Sequence, residues 1–289
     1  MNKKEVKAEI EQLLTLQAMT RSYAELSSER MKKVRSSVVS ARDFIISLDV
    51  VFQEVRKAYR RQILVLSKKK KGGKVTFLAH NGKTVAVLLS ANTGLYGGIV
   101  KRTFDLFAKE VADGKSEAAI VGRLGRSLFL QNWPDRAYSF FEFPDHGFTR
   151  RDLAALIAHL VAYEEIHIYY GKFASIVNQT PEMFNIKAET PVSDLEFKEK
   201  VYTKYLFEPT IEQILAFFET EMFTSTFEQT VNESQLAKFA SRMIAMDVAY
   251  ENIGKKLTTT KIMALRVAHD ILGRKQLNLI SSMTKWRKF

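Results

Sequence analysis

The residues best placed for chemistry form a glycine-rich turn, Gly94-Leu-Tyr-Gly-Gly98, between a β-type run and a helical run. Backbone N–H groups at such a junction, together with the helix dipole, hold phosphate in many folds. The spacing here is neither GxGxxG nor that of a Walker A loop, and no Lys-Ser/Thr pair closes it. Tight packing of strand against helix is the competing reading of the same glycines. The five histidines are His80, His146, His159, His167 and His269, and none forms an HxxxH pair with an acid between. No Ser/His/Asp set has motif support, and no carboxylate pair stands out in the central section. The chain contains no cysteine, which excludes disulfides, thiol catalysis and Cys-ligated metals. The expectation is a protein with no active site, metal or cofactor of its own.

Two long helical ends must position everything else. Residues 1–71 contain neither glycine nor proline. Alternating steps of three and four select Ile10, Leu13, Gln17, Thr20, Ala24, Ser27, Met31, Val34, Val38, Ala41, Ile45, Leu48, Phe52 and Val55, none of them charged. That is a coiled-coil seam. Its first half is polar or small, so it admits a close partner but adds little apolar burial. Outside the seam, Arg30, Lys32, Lys33 and Arg35 make the middle of the helix basic. The second end, Glu208 to Met283, has no proline after Pro209 and only Gly254 and Gly273. Leu236, Ala240, Met243, Ile244, Ile253, Leu257, Ala264, Val267 and Ile271 recur along it at helical steps. At ~1.5 Å per residue it extends on the order of 100 Å, far beyond an ordinary globular helix. Such a helix needs a partner along its side, and the first end of the chain is the candidate.

The irregular backbone lies between these ends. Lys68-Lys-Lys-Lys-Gly-Gly73 reads as a loop. Val75–Ala79 and Val85–Ser90 read as strands around the turn His80-Asn81-Gly82, followed by a helix over Ile99–Val111. Ala118–Val121 and Tyr138–Phe143 are strand patterns, Thr149–Tyr163 is an amphipathic helix, and Ile166–Ile176 is strand-like. Strands alternating with helices predict a partly parallel sheet. The expected fold class is α/β: a long antiparallel coiled coil of the two terminal helices plus a central Rossmann-like α/β domain. The expected division is a shaft helix over 1–66, an α/β foot over 72–207 and a second shaft helix over 208–289.

The formal charge is +12 and the pI about 9.6, which leaves nucleic acid, an anionic membrane surface or an acidic protein as partner classes. Lys68–Lys71 and the tail around Trp286 read as solvated runs, and no nucleic-acid-binding signature is present. No run approaches the ~20 apolar residues of a membrane span. The start, with Glu5 and Glu9, reads as neither signal nor transit peptide.

The chain resembles the gamma subunit of F-type ATP synthases over nearly its whole length. Ile10 to Val34 is similar to that family's first helix, including Gln17, Thr20 and the Arg30, Lys32, Lys33 cluster. Ser90-Ala-Asn-Thr-Gly-Leu-Tyr-Gly-Gly98 resembles the signature S-D-x-G-L-C/A-G-G, and Val121-Gly-Arg-Leu-Gly-Arg126 the strand and turn that follow it. Tyr170-Gly-Lys-Phe173 with Gln179-Thr-Pro181 resembles Y-N-K-F…Q-x-P, and Tyr205-Leu-Phe-Glu-Pro209 resembles Y-x-Y-E-P. Glu233-Ser234, Ser241-Arg-Met-Ile-Ala-Met246 and Asn252-Ile-Gly254 resemble ES…ARMxAM…DNAG.

The resemblance implies a non-catalytic rotor shaft without a cofactor. Its partners would be the alpha and beta subunits of a catalytic ring, the epsilon subunit and the c subunits of a membrane rotor ring. It would be present as one copy per complex, on the cytoplasmic face of the bacterial plasma membrane, with no role for nucleic acid. It places Tyr205 and Glu208 at the membrane ring and epsilon. It places Gln17, Thr20, Tyr23, Arg242, Ala268, His269 and Lys275 at the alpha/beta ring. A first-turn helix acid and a solvated arginine are the plainer readings of Glu208 and Arg242. Departures are Asn92 for Asp, Tyr96 for a small residue and Gly171 for Asn. Near the C-terminus, Leu265, Ala268-His269 and Gly273-Arg-Lys275 stand where the family has Asn, Arg-Gln and Thr-Gln-Glu. These keep two alternatives open: the rotor of a paralogous F-type-like ATPase not used for ATP synthesis, and a coiled-coil scaffold.

Overall fold

The computed structural model describes residues 2–58, 81–187 and 210–286. Helix α1 spans Lys3–Ala58. Asn2 caps it: its Oδ1 accepts the Lys4 N–H at 2.7 Å, while the Glu5 carboxylate accepts the Asn2 N–H at 2.8 Å. This reciprocal pair satisfies donors that a helix start leaves free. Strand β1 is Thr84–Leu89, helix α2 Ile99–Ala112, strand β2 Glu117–Val121 and helix α3 Arg123–Asn132. Strand β3 (Ser139–Phe141), helix α4 (Arg150–Leu160), strands β4 (Glu165–Phe173) and β5 (Gln179–Lys187) and helix α5 (Ile211–Trp286) follow.

The chain forms two compact units, residues 1–28 with 242–289, and residues 29–241. Within each, α1 and α5 are antiparallel. In the larger unit the Phe52 and Phe218 rings lie 5.4 Å apart, Val55 packs with Leu215, and Val34 with Leu236 and Phe239. In the smaller unit Lys256 Nζ lies 3.4 Å from the Glu9 carboxylate, and Gln17 packs against Gly254. Every seam residue from Ile10 to Val55 is buried or half-buried, as its spacing requires.

The sheet has the order β3-β2-β1-β4-β5. Strand β1 is parallel to β2 and β4, β2 is parallel to β3, and β5 runs antiparallel to β4. Parallel strands are covered on both faces and read as continuous apolar runs, which is why Val85–Leu89 are all buried. One face packs on α4 and α5 through Leu153, Leu156, Leu160, Phe227 and Val231. The other packs on α2 and α3 through Phe104, Phe107 and Phe129.

Two elements were not expected. Helix α3 follows a stretch read as strand and turn, and its buried face amounts to Gly125 and Phe129, too short an apolar pattern to show a period. Strand β5 contains Pro181, which an edge strand tolerates because one side of its backbone has no ladder to complete. The run Val75–Ala79, the loop at Lys68–Gly73 and the junctions expected near 66–72 and 207–208 lie outside the described residues. Both described neighbours of β1 are parallel, so no hairpin involves it among those residues.

Candidate functional site

In an open α/β sheet, ligands bind beyond the carboxyl ends of the strands where the strand order reverses. Here that crevice lies between β1 and β4, and the chain closes it itself. Lys238 of α5, 7% exposed, donates from Nζ to the Ser90 carbonyl at 2.6 Å. Leu236 and Phe239 pack with Ala91, Tyr96 and Ile99. A Cβ on Gly171 of β4 would lie 2.8 Å from Ile99 Cγ1 and 3.4 Å from Ala237 Cβ. Sheet, α2 and α5 therefore meet with no room for a ligand at this point.

The glycine turn does hold an anion, but one supplied by the protein. The Asp145 carboxylate accepts the backbone N–H groups of Asn92 and Thr93 at 2.8 and 2.9 Å, the Thr93 hydroxyl at 2.8 Å and the Tyr96 hydroxyl at 3.2 Å. Burial pushes Asp145 up, but the Asn92 N–H, the charge of Lys238 and the Thr93 donors outweigh it and hold the carboxyl below its ordinary value. The acceptor seated beside this turn is thus the chain's own carboxylate, held by the two N–H groups that precede Gly94 and by the Tyr96 hydroxyl. Leu95, in the same turn, is the one described non-glycine residue with a left-handed φ, +67°.

The departures from the family signature fit this arrangement. Asn92 donates from Nδ2 to the Phe143 carbonyl at 2.7 Å and accepts the Arg123 N–H through Oδ1 at 3.1 Å. An aspartate cannot donate and would set a second carboxylate beside Asp145. Tyr96 is buried, with its hydroxyl on Asp145 and its ring 6.3 Å from that of Phe239. Gly171 is glycine because Ile99 occupies the place of its side chain.

The other motifs hold the same junction together. Gly122 has φ +92° and approaches Ala91 so closely that a Cβ would lie 2.8 Å from its backbone; at Gly125 a Cβ would lie 2.7 Å from Ser90 Cβ. Tyr170–Phe173 pairs with Gln179–Glu182 across the β4–β5 hairpin. Gln179, buried, donates to the Ser175 carbonyl at 3.0 Å and also to that of Ile176. Burial raises Glu233 above the ordinary carboxylate range; Glu182 adds to this, against the opposing pull of Lys172, the Phe173 N–H and Arg42.

Sequence reasoning did not find three further polar clusters. Glu110 accepts from Tyr169 and, at 3.0 Å, from Ser116, and lies 2.5 Å from His167 Nδ1. Glu117 accepts from Lys83 at 2.7 Å and Tyr163 at 2.5 Å. Burial and that carboxylate push the Tyr163 phenol up to about 12. Arg150 bridges Glu221 at 2.6 Å and Glu228 at 3.0 Å, and borders an open groove of about 390 Å³ lined by Ser36, Ser40, Phe44 and Asn232. No local signal marks these residues, because each partner comes from a different element. Among the described residues no group of three His, Asp or Glu is placed to hold a metal.

The residues assigned to a partner ring are dispersed. Gln17 and Thr20 are half-buried seam residues, and the Thr20 hydroxyl donates back to the Gln17 carbonyl at 2.9 Å. Tyr23 is exposed. Arg242 is 5% exposed, which removes the solvated-arginine reading. Ala268 is half-buried, while His269 and Lys275 are exposed. Tyr205 and Glu208 lie outside the described residues.

A family model described as ATP synthase matches residues 2–267. The ATP synthase gamma chain of Desulforamulus reducens is 24% identical over 287 residues, covering 96% of each chain. That of Halothermothrix orenii is 23% identical over 261 residues, 87% of this chain and 88% of its own. Among solved structures, the central stalk and c-ring of the Tetrahymena thermophila mitochondrial ATP synthase aligns with a TM-score of 0.56 at 18% identity, covering 80% of this chain and 99% of that one. The rotor of the Euglena gracilis enzyme aligns with a TM-score of 0.52 at 13% identity, covering 85% and 99%.

Proposed function

This chain belongs to the ATP synthase family, and on that premise we propose that it is a central-stalk rotor subunit of the gamma-chain kind. It couples ion-driven rotation of a membrane ring to ATP synthesis or hydrolysis in a ring of alpha and beta subunits. One observation carries this reading: α1 and α5 pair antiparallel along an uncharged seam, beside a sheet whose ligand crevice the chain fills with its own Lys238 and Asp145. That arrangement transmits force and leaves substrate chemistry to partners.

The chain is non-catalytic, with residues 1–66 and 208–289 as the shaft and 72–207 as the foot. Its partners are the alpha and beta subunits, epsilon and the c subunits, and it enters the complex as a single copy. Tyr205 and Glu208 meet the membrane ring and epsilon. Tyr23, His269 and Lys275 face the alpha/beta ring with their side chains, whereas Gln17, Thr20, Arg242 and Ala268 act through the packing of the shaft. The complex lies on the cytoplasmic face of the bacterial plasma membrane, with this subunit peripheral. No helix among the described residues is long and apolar enough to cross a membrane.

The test is to purify the tagged chain from its own host. Alpha and beta subunits should accompany it, and the isolated chain should not turn over ATP. Recovery without either subunit would leave the scaffold reading. The C-terminal departures favour a second reading, a paralogous rotor with a rewritten grip. In the complex assembled from its own subunits, Ala268→Arg with His269→Gln should lower ATPase rate if the partner has compensated, and raise it if the grip is weakened.

A further inference from the structure

The apolar packing between α1 and α5 is interrupted. One cluster joins Met31, Val34 and Val38 of α1 to Leu236 and Phe239 of α5. A second begins at Leu48 of α1 and joins Phe52 and Val55 to Leu215 and Phe218. The stretch between Val38 and Leu48 runs for ~15 Å of helix. Opposite it, Phe223, Phe227 and Val231 of α5 turn to the sheet. Small and polar side chains remain here, Ser36, Ser40 and Ala41 of α1 and Ser225 and Asn232 of α5, and the open groove lies among them.

Arg150, at the start of α4, reaches across this gap. Its guanidinium donates to Glu221 at 2.6 Å, to Glu228 at 3.0 Å and to the Ser225 hydroxyl at 3.4 Å, three residues on one stripe of α5. Its central carbon lies 5.9 Å from the centre of the Phe44 ring of α1, within the ~6 Å of a cation–π contact. We propose that Arg150 is a positioning residue: it locks α1 to α4 and α5 across the gap and so lets the foot and the shaft turn as one body. Paired helices resist sliding where side chains of one fill the holes of the other. Serine and alanine are too small to do so, and the arginine supplies the missing contact. The role in coupling rests on the rotor reading above; the lock rests on these contacts alone.

The chain has no cysteine, so spin labels can be set through introduced cysteines at exposed Ser47 of α1, Ala158 of α4 and Gln213 of α5, two at a time in the full chain. Pulsed electron paramagnetic resonance should give one narrow distance for Ser47 with Ala158. Arg150→Gln should at least double its width and leave the pair Ala158 with Gln213 unchanged, since the apolar face of the sheet still holds α4 to α5. Phe44→Ala should broaden the first pair as much, and the two substitutions together should add nothing, because either one breaks the same contact. In the complex assembled from its own subunits, Arg150→Gln should leave the rate of ATP hydrolysis unchanged and lower ATP-driven ion pumping at least threefold. An unchanged width for the first pair, or equal broadening of both pairs, would overturn the lock. Undiminished pumping by the variant, beside a parent complex that pumps, would overturn the role in coupling. A parent chain that recruits no alpha and beta subunits would defeat the rotor reading and the coupling role with it, while the measured distances still decide the lock.

Discussion

Two stretches of the one helix α5 depart in opposite ways from the usual relation between side-chain type and burial. Between residues 225 and 241, Ser225, Thr230, Asn232, Ser234, Gln235, Lys238 and Ser241 are all buried. Between 262 and 283, Leu265, Leu272, Leu277, Leu279, Ile280 and Met283 are all exposed. Burial of polar groups is costly unless they are hydrogen-bonded, and only part of the first stretch meets that condition: Lys238 holds the end of β1 and the Thr230 hydroxyl closes on the Thr226 carbonyl at 2.9 Å, whereas Ser234 Oγ and Gln235 Nε2 are buried without a partner among the described residues. In the second stretch Leu265, Leu272, Leu279 and Met283 follow one another along one face, and exposed apolar surface that is contiguous marks an interaction site. The contrast teaches that the first stretch is enclosed by this chain's own fold, whereas the second is left exposed by it.

The largest expected effect lies in the frame around the buried stretch. Gly122→Ala sets a Cβ 2.8 Å from the Ala91 backbone at φ +92° and should cost about 3 kcal/mol or more in urea unfolding. Next is Lys238→Met, which makes the buried stretch more apolar. If polarity there is merely tolerated, stability should rise; we expect it to fall by about 2–3 kcal/mol, because the Ser90 carbonyl loses a charged donor.

Two carboxylates sharpen the same contrast through pH. Asp145 is held below its ordinary value, so its contribution is present above the unfolded value of about 3.9 and is lost as pH falls through its folded value. The penalty of Asp145→Asn should therefore shrink in acid. Glu233 is raised, so its ionisation opposes folding as pH rises from about 4.3 through the folded value. Glu233→Gln should stabilise the chain at neutral pH and lose that advantage in acid. The smallest effect belongs to the exposed stretch, where Leu272→Ser should change stability by less than about 0.5 kcal/mol. A larger loss there would mean that this face is already covered within this chain.

Much of the architecture was legible because it is written in local periods. The uncharged seam from Ile10 to Val55 is buried or half-buried throughout, and the apolar run at Val85–Leu89 became the central strand. Helix α3 and strand β5 escaped because one has a minimal apolar face and the other a proline in its run. At the glycine turn, the residue types left phosphate binding and tight packing open, and nothing local pointed to Asp145 as the acceptor that Asn92 and Thr93 hold.

What the sequence determined by itself was the pair of long helices, their seam and a partly parallel sheet. Spacings of 3.5 and 2 residues decide which face of an element is apolar, whatever surrounds it. What only the tertiary structure decided was which polar groups go inside and what they hold. Asp145 reaches Asn92 from 53 residues away, and Lys238 reaches Ser90 from 148. A hydrogen bond is satisfied by whichever group the fold brings within about 3 Å. No pattern in neighbouring residues encodes that choice, so the closed crevice became visible only once α5 lay across the sheet.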